Sequence, residues 1–244
     1  MKHLLLSLTI LLFSITVFSE KLPEIKFSST EQRTTLIELY TSQGCSSCPP
    51  AEKWLNGLKE QKGLFKTFVP LAFHVDYWDY IGWKDIYADP VFSKRQRSLR
   101  SAGNISSVYT PGFVVSGQEW RKWFEGEAFP DTTVVQTGIL AGSIKDDKVS
   151  VTYSKKSKNL VLHVALLANG IETHVTQGEN TNRILKADFV VVEYAKQKSN
   201  QSLWEIPLPA VPADIQAKNF ALAVWVTSEK SYKPIQATGV WLGS

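Results

Sequence analysis

The segment that decides the fold runs from residue 35 to residue 58 and reads TLIELYTSQGCSSCPPAEKWLNGL. It opens with a β-rich, mostly apolar stretch, which predicts a central strand covered on both faces. A polar loop with two cysteines follows. Two prolines come directly after Cys48, and proline suits the first turn of a helix because the amides there lack intrahelical partners. The sequence therefore predicts a strand, a loop with a cysteine pair, and a helix.

Cys45 and Cys48 are the only cysteines of the chain. A disulfide between them closes so short a loop that its chain-entropy contribution to stability is only about 2 kcal/mol. Structural zinc needs four ligands, and the sequence has no second cysteine pair and no His-x-x-x-His. Because a helix N-terminus favours an anion, a thiolate is favoured there. The pair is thus better explained by redox chemistry than by a structural role.

Residues 1–19 are predicted to be a secretory signal peptide. A short polar start precedes the apolar run LLLSLTILLFSITVF at residues 4–18, and cleavage is expected after Ser19. An uncleaved anchor is the alternative, but about 15 apolar residues fall short of the roughly 20 that span a bilayer. We expect an exported protein, periplasmic or secreted, without stable membrane insertion after cleavage.

Composition removes several classes of protein. The chain has 244 residues, of which 43% are hydrophobic and 20% are charged, as is typical of a globular protein. Its 27 basic and 23 acidic side chains give a formal net charge of +4 and form no long run of one sign. Proteins that bind nucleic acid usually concentrate positive charge, so we expect no nucleic-acid partner.

The strand, the Cys-x-x-Cys motif, the helix and the later segment YTPGFVV at residues 109–115 together resemble the thioredoxin fold. The resemblance implies that the bond before Pro111 is cis and that Pro111 packs against the cysteine pair, with Thr110 beside it. Our hypothesis is thiol-disulfide exchange, in which Cys45 attacks, Cys48 resolves the mixed disulfide, Pro111 shapes a peptide-binding groove and Glu38 handles the proton. Thr110 is a candidate for binding the substrate.

Two longer blocks resemble a narrower family. They are TSQGCSSCPPA at residues 41–51 and HVDYWDYIGWKD at residues 74–85, and they are similar to exported proteins catalogued as domain of unknown function 1223. With RQR at residues 95–97, the resemblance covers about residues 35–125. It implies the thioredoxin-like fold and no particular reaction. The motif GEN at residues 178–180 also resembles the family, and the sequence offers no physical reason for it.

Glu38 and His74 are further candidates for chemistry. Glu38 lies among apolar neighbours before Cys45 and, if buried, could accept or relay the proton of Cys48, as the acidic residue in the corresponding strand of thioredoxins implies. An exposed glutamate at a strand edge is the alternative. His74 could orient Asp76, assist the thiol, or join both cysteines as a third ligand to Cu(I). An ordinary core or loop histidine is the alternative.

The densest aromatic stretch lies at residues 77–83 and belongs to an insertion relative to ordinary thioredoxins. Tyr77, Trp78 and Trp83 are candidates for binding an unfolded peptide or a small ligand. Packing of the insertion onto the sheet is the equal alternative. A helix then follows to about residue 102, and its basic side chains, including Arg95, are expected to form a solvated face.

Beyond residue 143 the chain becomes a series of β-rich runs without a clear helix, which predicts an antiparallel sandwich-like module. The runs lie at residues 149–153, 160–167, 171–176, 189–194, 220–226 and 235–241. Residues 131–141 favour a strand by local propensity, whereas the thioredoxin topology requires a closing helix there. This boundary stays open.

These observations predict an α/β thioredoxin-like domain followed by an all-β antiparallel sandwich-like domain. The expected divisions are a signal peptide (1–19), an N-terminal extension (20–34), the thioredoxin-like domain with its aromatic insertion (35–142) and the sandwich-like domain (143–244). We expect thiol-disulfide exchange with protein or small-molecule thiols or disulfides, without a cofactor, and leave enzymatic activity and oligomeric state open. A Cu(I)-binding chaperone and a non-catalytic interaction module with an inert disulfide are the alternatives.

Overall fold

Strands dominate the structure, a computed structural model that describes residues 23–126 and 135–243. The helices in these residues are α1 (Pro49–Asn56) and α2 (Pro90–Ser101). The strands of the first range are β1 (Ile25–Ser28), β2 (Thr35–Thr41), β3 (Phe68–His74), β4 (Gly112–Val115) and β5 (Gln118–Glu119). Those of the second range are β6 (Leu140–Lys145), β7 (Lys148–Tyr153), β8 (Leu160–Asn169), β9 (Ile171–His174), β10 (Ile184–Ala187), β11 (Val190–Ser199), β12 (Leu203–Pro207), β13 (Asn219–Ser228) and β14 (Pro234–Trp241).

Two predictions fall wholly or partly outside the described residues. The signal peptide predicted at residues 1–19 is one of them. The open boundary at residues 131–141 is the other, since residues 127–134 are not described and β6 begins at Leu140. Among the residues that are described, no helix has both the length and the apolar character needed to cross a membrane.

The largest sheet has eight strands in the order β14-β13-β8-β11-β3-β2-β4-β5. Its centre is parallel, because β3 pairs in parallel with both β2 and β11, and the other neighbours are antiparallel. The pairing of β11 with β3 sets Val190 opposite Ala72. One sheet therefore runs across the boundary that the sequence analysis drew between residues 142 and 143.

A second sheet covers the part of the large sheet that β8 and β13 form. It is antiparallel, with the order β1-β6-β7-β12. Because side chains alternate along a strand, β13 contributes to two cores. These are Leu222, Val224 and Val226 in the core beneath the four-stranded sheet, and Ala221, Ala223 and Trp225 in the core that includes the helices. The packing of the two sheets is sandwich-like over this region.

Helices α1 and α2 cover opposite faces of the large sheet beside β2. The Thr41 hydroxyl of β2 donates a hydrogen bond to Glu52 of α1 at 2.6 Å. Glu38, three positions earlier on the same strand, instead accepts a hydrogen bond from Arg95 of α2 at 2.7 Å. Residues an odd number of positions apart on a strand point to opposite faces. We call the face of the large sheet that α1 covers the α1 side, and the face that α2 covers the α2 side. The cysteine loop leads from β2 into α1 on the α1 side.

The local predictions of both helices are confirmed. Helix α1 begins at Pro49, and α2 begins at Pro90 with the Asp89 carboxylate accepting a hydrogen bond from the Val91 amide at 2.7 Å. The strand runs predicted after residue 143 correspond to β7, β8, β9, β11, β13 and β14. The sequence does not predict strands β10 and β12. Strand β10 has only four residues, and β12 ends in Pro207, a residue type that is uncommon within strands.

Candidate functional site

The cysteine pair lies in the turn between β2 and α1. Cys45 and Cys48 form a disulfide bond, with Cα atoms 5.5 Å apart. The Cys48 amide donates to the Cys45 carbonyl at 3.2 Å, and the Ser47 hydroxyl donates to Cys45 Sγ at 3.3 Å. Cys48 is the N-cap residue, so the amides at the start of α1 lie closer to Cys48 than to Cys45.

Both cysteines are completely buried. The exposed fraction of Cys45 and of Cys48 is 0%, whereas Ser46 and Ser47 between them are exposed. A reacting thiol must reach one of the sulfurs in line with the disulfide bond, and it cannot do so in this conformation. The burial agrees with the alternative of an inert disulfide unless the residues that cover the pair can move.

Pro111 lies at the end of β2 from which the cysteine loop departs. The Thr110–Pro111 peptide bond is cis, which confirms the prediction from the thioredoxin resemblance. Strand β4 begins directly after this bond, and its first residue, Gly112, is paired with Tyr40 of β2. Since Tyr40 is the residue before the end of β2, the register sets the buried Pro111 beside the start of the cysteine loop.

The aromatic candidates are part of the scaffold around the loop. Asp76–Ile81 forms a 3₁₀-helix, and Tyr77, Trp78 and Trp83 are all partly buried. Their polar atoms donate hydrogen bonds within the chain: Tyr77 to Gln96 at 3.0 Å, Trp78 to Thr110 at 2.7 Å, and Trp83 to Gln43 at 3.1 Å. These bonds connect the insertion to α2, to the residue before Pro111 and to the cysteine loop.

Trp78 also fixes the backbone next to Cys45. A Cβ atom added to Gly44 would lie 3.2 Å from Trp78 Cβ and 3.3 Å from the Trp78 carbonyl oxygen. A larger residue would require Trp78 to shift by a few tenths of an ångström, so glycine suits this close approach. Trp78 therefore links the residue before Cys45 to the residue before Pro111.

Glu38 lies on the α2 side of the sheet. Its carboxylate accepts from Arg95 Nε at 2.7 Å and from Arg95 Nη2 at 2.9 Å, and it also accepts from the Tyr40 hydroxyl at 3.0 Å. Glu38 is 0% exposed and Arg95 is 6% exposed. The expectation of a solvated Arg95 is wrong, because its guanidinium is needed to neutralise a buried carboxylate. The Arg95 guanidinium also stacks over Trp225, with 5.6 Å to the ring centroid.

His74 and Asp85 form a buried pair on the α1 side. His74 Nδ1 lies 2.7 Å from Asp85 Oδ2, and both side chains are 0% exposed. Asp85 also accepts from the Gln43 amide at 2.8 Å, so it connects His74 to the cysteine loop. His74 therefore orients Asp85 and not Asp76, which accepts instead from the Ser93 hydroxyl. Within the described ranges, His74 Nε2 is buried without a hydrogen-bond partner.

Glu52 is a buried carboxyl that the sequence analysis missed. It lies one helical turn after Cys48, and helix periodicity sets residues four apart on one face, which is the signal that could have found it. Burial raises the pKa of Glu52, and the charge of His74 and the Thr41 hydrogen bond offset part of that rise. Burial lowers the pKa of His74, but the Asp85 carboxylate, its hydrogen bond and Glu52 outweigh burial and raise it.

The side chains proposed for Cu(I) are committed to other bonds. Cys45 and Cys48 are bonded to each other, and His74 Nδ1 is paired with Asp85. In residues 23–126 and 135–243, no group of three or more His, Cys, Asp or Glu side chains is arranged to hold a metal ion.

Residues 175–183, the turn between β9 and β10, cover the cysteine loop; we call them the covering turn. Asn180 Nδ2 donates to the Gln43 carbonyl at 2.8 Å and to the Cys45 carbonyl at 3.0 Å. Arg183 Nη1 donates to Asn180 Oδ1 at 2.8 Å, which leaves the amide nitrogen facing the two carbonyls. Asn180 is 0% exposed although its side chain is polar.

Glu179 makes the third contact of the covering turn. Its Oε2 accepts a hydrogen bond from the Ser46 amide at 3.1 Å. The Ser46 hydroxyl and amide lower the pKa of the Glu179 carboxyl, so the group is charged at neutral pH. The motif at residues 178–180 is thus explained by its contacts with the cysteine loop, which lies more than 130 positions earlier in the sequence.

Two solved structures share the fold. The X-ray crystal structure of protein AGR_C_4864 from Agrobacterium tumefaciens has 21% sequence identity and a TM-score of 0.61, with 87% of this chain and 94% of that chain covered. HBP35 of Porphyromonas gingivalis has 11% identity and a TM-score of 0.51, with 88% of this chain and 76% of that chain covered. At these identities the likeness concerns the fold alone.

No curated protein matches the chain. The family described as "Protein of unknown function (DUF1223)" matches residues 36–227, a range that begins in β2 and ends in β13. The range includes the cysteine pair, Pro111 and the covering turn. The chain therefore belongs to this family, as the two blocks at residues 41–51 and 74–85 predicted.

Proposed function

We propose that this protein is an exported, thioredoxin-like protein that exchanges disulfides with thiols of proteins or small molecules. The observation that carries the proposal is the disulfide between Cys45 and Cys48 at a strand-to-helix junction, in a loop whose start lies beside Pro111. A pair so close in sequence stabilises the chain little. Chemistry at the sulfurs is therefore the better reason for its presence.

The order of elements supports the thioredoxin-like assignment for the first half of the chain. Strand β2, helix α1 and the parallel strand β3 form a β-α-β unit, which is followed by α2 and the antiparallel strands β4 and β5. The two helices lie on opposite faces of the sheet, as argued from Glu38 and Thr41. The cysteine loop leaves the carboxyl end of β2, where open parallel sheets carry their sites.

In the oxidising direction, a substrate dithiol is the reductant. A substrate thiolate attacks Cys45 Sγ, so that a bond to the substrate forms, the Cys45–Cys48 bond breaks and Cys48 leaves as a thiolate. The second substrate thiolate then attacks the substrate sulfur of this mixed disulfide and releases Cys45. Two electrons pass to the protein, and the substrate leaves as a disulfide. The reverse sequence reduces a substrate disulfide.

We assign the proton of Cys48 to Glu52 rather than to Glu38. Glu38 points to the α2 side of the sheet and is held by Arg95. Glu52 is on the α1 side, and its Cβ lies about 5–6 Å from that of Cys48 by the geometry of residues four apart on a helix. Burial raises the pKa of the Glu52 carboxyl above its ordinary value, which suits a group that gives a proton to the departing Cys48 thiolate and takes it back when Cys48 attacks.

The proposal is tested by the reduction potential of the pair in glutathione buffers, with free thiols counted by alkylation and mass spectrometry. We expect a potential between about −270 and −120 mV, the range of exchange proteins. A Cys48→Ala variant should accumulate a mixed disulfide with glutathione, because the Cys45 thiolate attacks the oxidised glutathione of the buffer and releases one glutathione thiol, and a variant without either cysteine should not. A potential below about −300 mV with no mixed disulfide would refute the proposal, because structural disulfides behave in that way.

The role of Glu52 has a test of its own. Glu52→Gln keeps the shape of the side chain and removes its proton exchange, so we expect reduction of the pair at neutral pH to slow by at least about tenfold. Glu60→Gln is the matched control, because Glu60 is an exposed glutamate in the 3₁₀-helix Gly57–Glu60. Equal rates in the two variants would remove Glu52 from the mechanism.

A further inference from the structure

The covering turn is held over the cysteine loop by a few polar contacts. We propose that this turn is a removable cover of the disulfide, and that Asn180 and Glu179 are positioning residues that set how readily Cys45 reacts. The inference rests on the proposed function, since a cover has a role only if the sulfurs exchange. It assigns a role to the motif at residues 178–180.

Asn180 is the main attachment of the cover. Its carboxamide donates to the carbonyls of Gln43 and Cys45, on either side of Gly44, and Arg183 fixes the orientation of that carboxamide. These bonds hold the cover at the residue that a substrate thiol must reach. The cover has few apolar anchors, because most of residues 176–183 are exposed. Segments held by few buried apolar contacts open at lower free-energy cost than the core does.

Gly178 explains how the turn approaches the aromatic insertion. Its φ of +74° lies in the left-handed region, and an added Cβ would meet Trp83 Cβ at 3.1 Å. The turn thus packs closely on the insertion at one glycine, and the next two residues reach the cysteine loop. The covering turn therefore packs against the aromatic insertion as well as against the cysteine loop.

Glu179 acts on the charge of Cys45. Pro49 and Pro50 carry no amide hydrogen, and the amides of the two residues after them both donate to the Cys48 carbonyl. Few amides therefore remain near Cys45 to stabilise a thiolate, and the Ser46 amide donates to the Glu179 carboxylate. A negative charge next to a thiol also disfavours its ionisation. With the cover closed, Glu179 holds Cys45 in the less reactive thiol form.

Several other charged or titratable groups surround the cysteine loop, and each stays unchanged when Glu179 is altered. They are Arg183 of the covering turn, Glu52 of α1, His74 of β3, and Asp85 and Asp79 of the insertion. Because none of them contacts the Ser46 amide, a change of Glu179 alone isolates the effect of its charge on Cys45.

The attachment by Asn180 is tested by the rate at which dithiothreitol reduces the oxidised protein. Asn180→Ala removes two hydrogen bonds of the cover, so we expect reduction to accelerate by about fivefold to 100-fold. Gln177→Ala, an exposed residue of the same turn, is the control and should stay within about twofold of the native rate. A native rate in Asn180→Ala, or equal acceleration in both variants, would overturn the cover.

The effect of Glu179 is tested in the fully reduced protein by the rate of iodoacetamide alkylation of Cys45 from pH 5 to pH 10, with the site located by fragment mass spectrometry. We expect Glu179→Gln to lower the pH midpoint and to raise the rate at neutral pH about twofold to fivefold. Glu172→Gln removes an exposed carboxylate of the same hairpin, on β9, and should leave the midpoint unchanged. Identical midpoints in the native protein and Glu179→Gln would overturn the role of Glu179.

These two experiments separate this inference from the proposed function. Reduction by dithiothreitol and alkylation by iodoacetamide need no biological partner and no particular reduction potential. A reduction potential in the range of structural disulfides, with no mixed disulfide, would refute exchange, while both comparisons would still give their answers. Conversely, native behaviour in both variants would refute the cover while exchange stood. If the Asn180→Ala variant fails to fold, the Glu179→Gln variant still tests the inference, because it removes only one exposed charge.

Discussion

Replacement of Arg95, a buried residue of α2, by methionine should destabilise the protein strongly. Arg95 makes two hydrogen bonds to Glu38, at 2.7 and 2.9 Å, and both side chains are buried. Without the guanidinium, the Glu38 carboxylate loses both bonds to a charged partner and keeps the bond from the neutral Tyr40 hydroxyl. Breaking one half of a buried pair typically costs about 3–5 kcal/mol, because it leaves a buried charge uncompensated.

Removing both charged side chains of the pair should cost less free energy of unfolding than removing either one alone. In the double variant Glu38→Gln with Arg95→Met, no buried charge remains, so we expect it to be more stable than the sum of the single changes predicts by at least about 2 kcal/mol. For a chain of this size, a loss of about 3–5 kcal/mol lowers the midpoint of thermal unfolding by about 6–20 °C.

The assay is urea unfolding of the native protein, the two single variants and the double variant, with tryptophan fluorescence as the signal and the disulfide intact. The four free energies give the coupling of Glu38 to Arg95 directly. A cost below about 1 kcal/mol for Arg95→Met, or a double variant that equals the sum of the single ones, would refute the argument from burial.

Three further predictions concern other parts of the molecule. Gly117→Ala should lower the free energy of unfolding in urea by more than about 1 kcal/mol, because φ of Gly117 is +77° and an added Cβ would meet backbone at 2.8 Å. Gly57→Ala is the control: its added Cβ meets nothing within 4 Å, so the change should be neutral or stabilising. The paired His74 has a raised pKa and Asp85 a lowered one, so their mutual stabilisation is fully present between pH 3.8 and 6.5 and is lost as the pH rises through the folded-state pKa of His74. Asp85→Asn should therefore cost more free energy of unfolding at pH 5 than at pH 9, and equal costs would contradict the pairing. Trp78→Phe deletes the indole hydrogen bond, so its thermal midpoint should fall by the equivalent of about 1 kcal/mol, and an unchanged midpoint would argue against that bond.

The parts of this fold that sequence predicts are those with local signals. Both helices begin at a proline, one of them after an Asp89 cap, and the β-rich runs are visible as such. The cis conformation of the Thr110–Pro111 bond is predicted by the resemblance to thioredoxins and not by local chemistry. The cysteine pair could be identified from spacing alone, because the two residues are close in the chain.

The contacts that sequence does not predict join residues far apart in the chain. Arg95 lies 57 positions from Glu38, and Asn180 lies 135 positions from Cys45. No periodicity connects such residues, so Arg95 was expected in solvent and Glu38 near the cysteines. The pairing of β11 with β3 is equally remote, and it joins strands from both halves of the chain in one sheet.

That pairing limits how the chain can be divided. On the side of β3 away from β2, the second half of the chain supplies a pairing: Val190 lies opposite Ala72, and the Ala72 amide donates to the Phe189 carbonyl at 2.8 Å. A fragment that stops at residue 142 would keep the cysteines but leave the backbone of the apolar strand β3 without this pairing at Ala72. Such an edge invites pairing with other chains. The half of the chain with the cysteine pair is thus expected to need the second half to prevent self-association, in addition to the covering turn that the second half contributes.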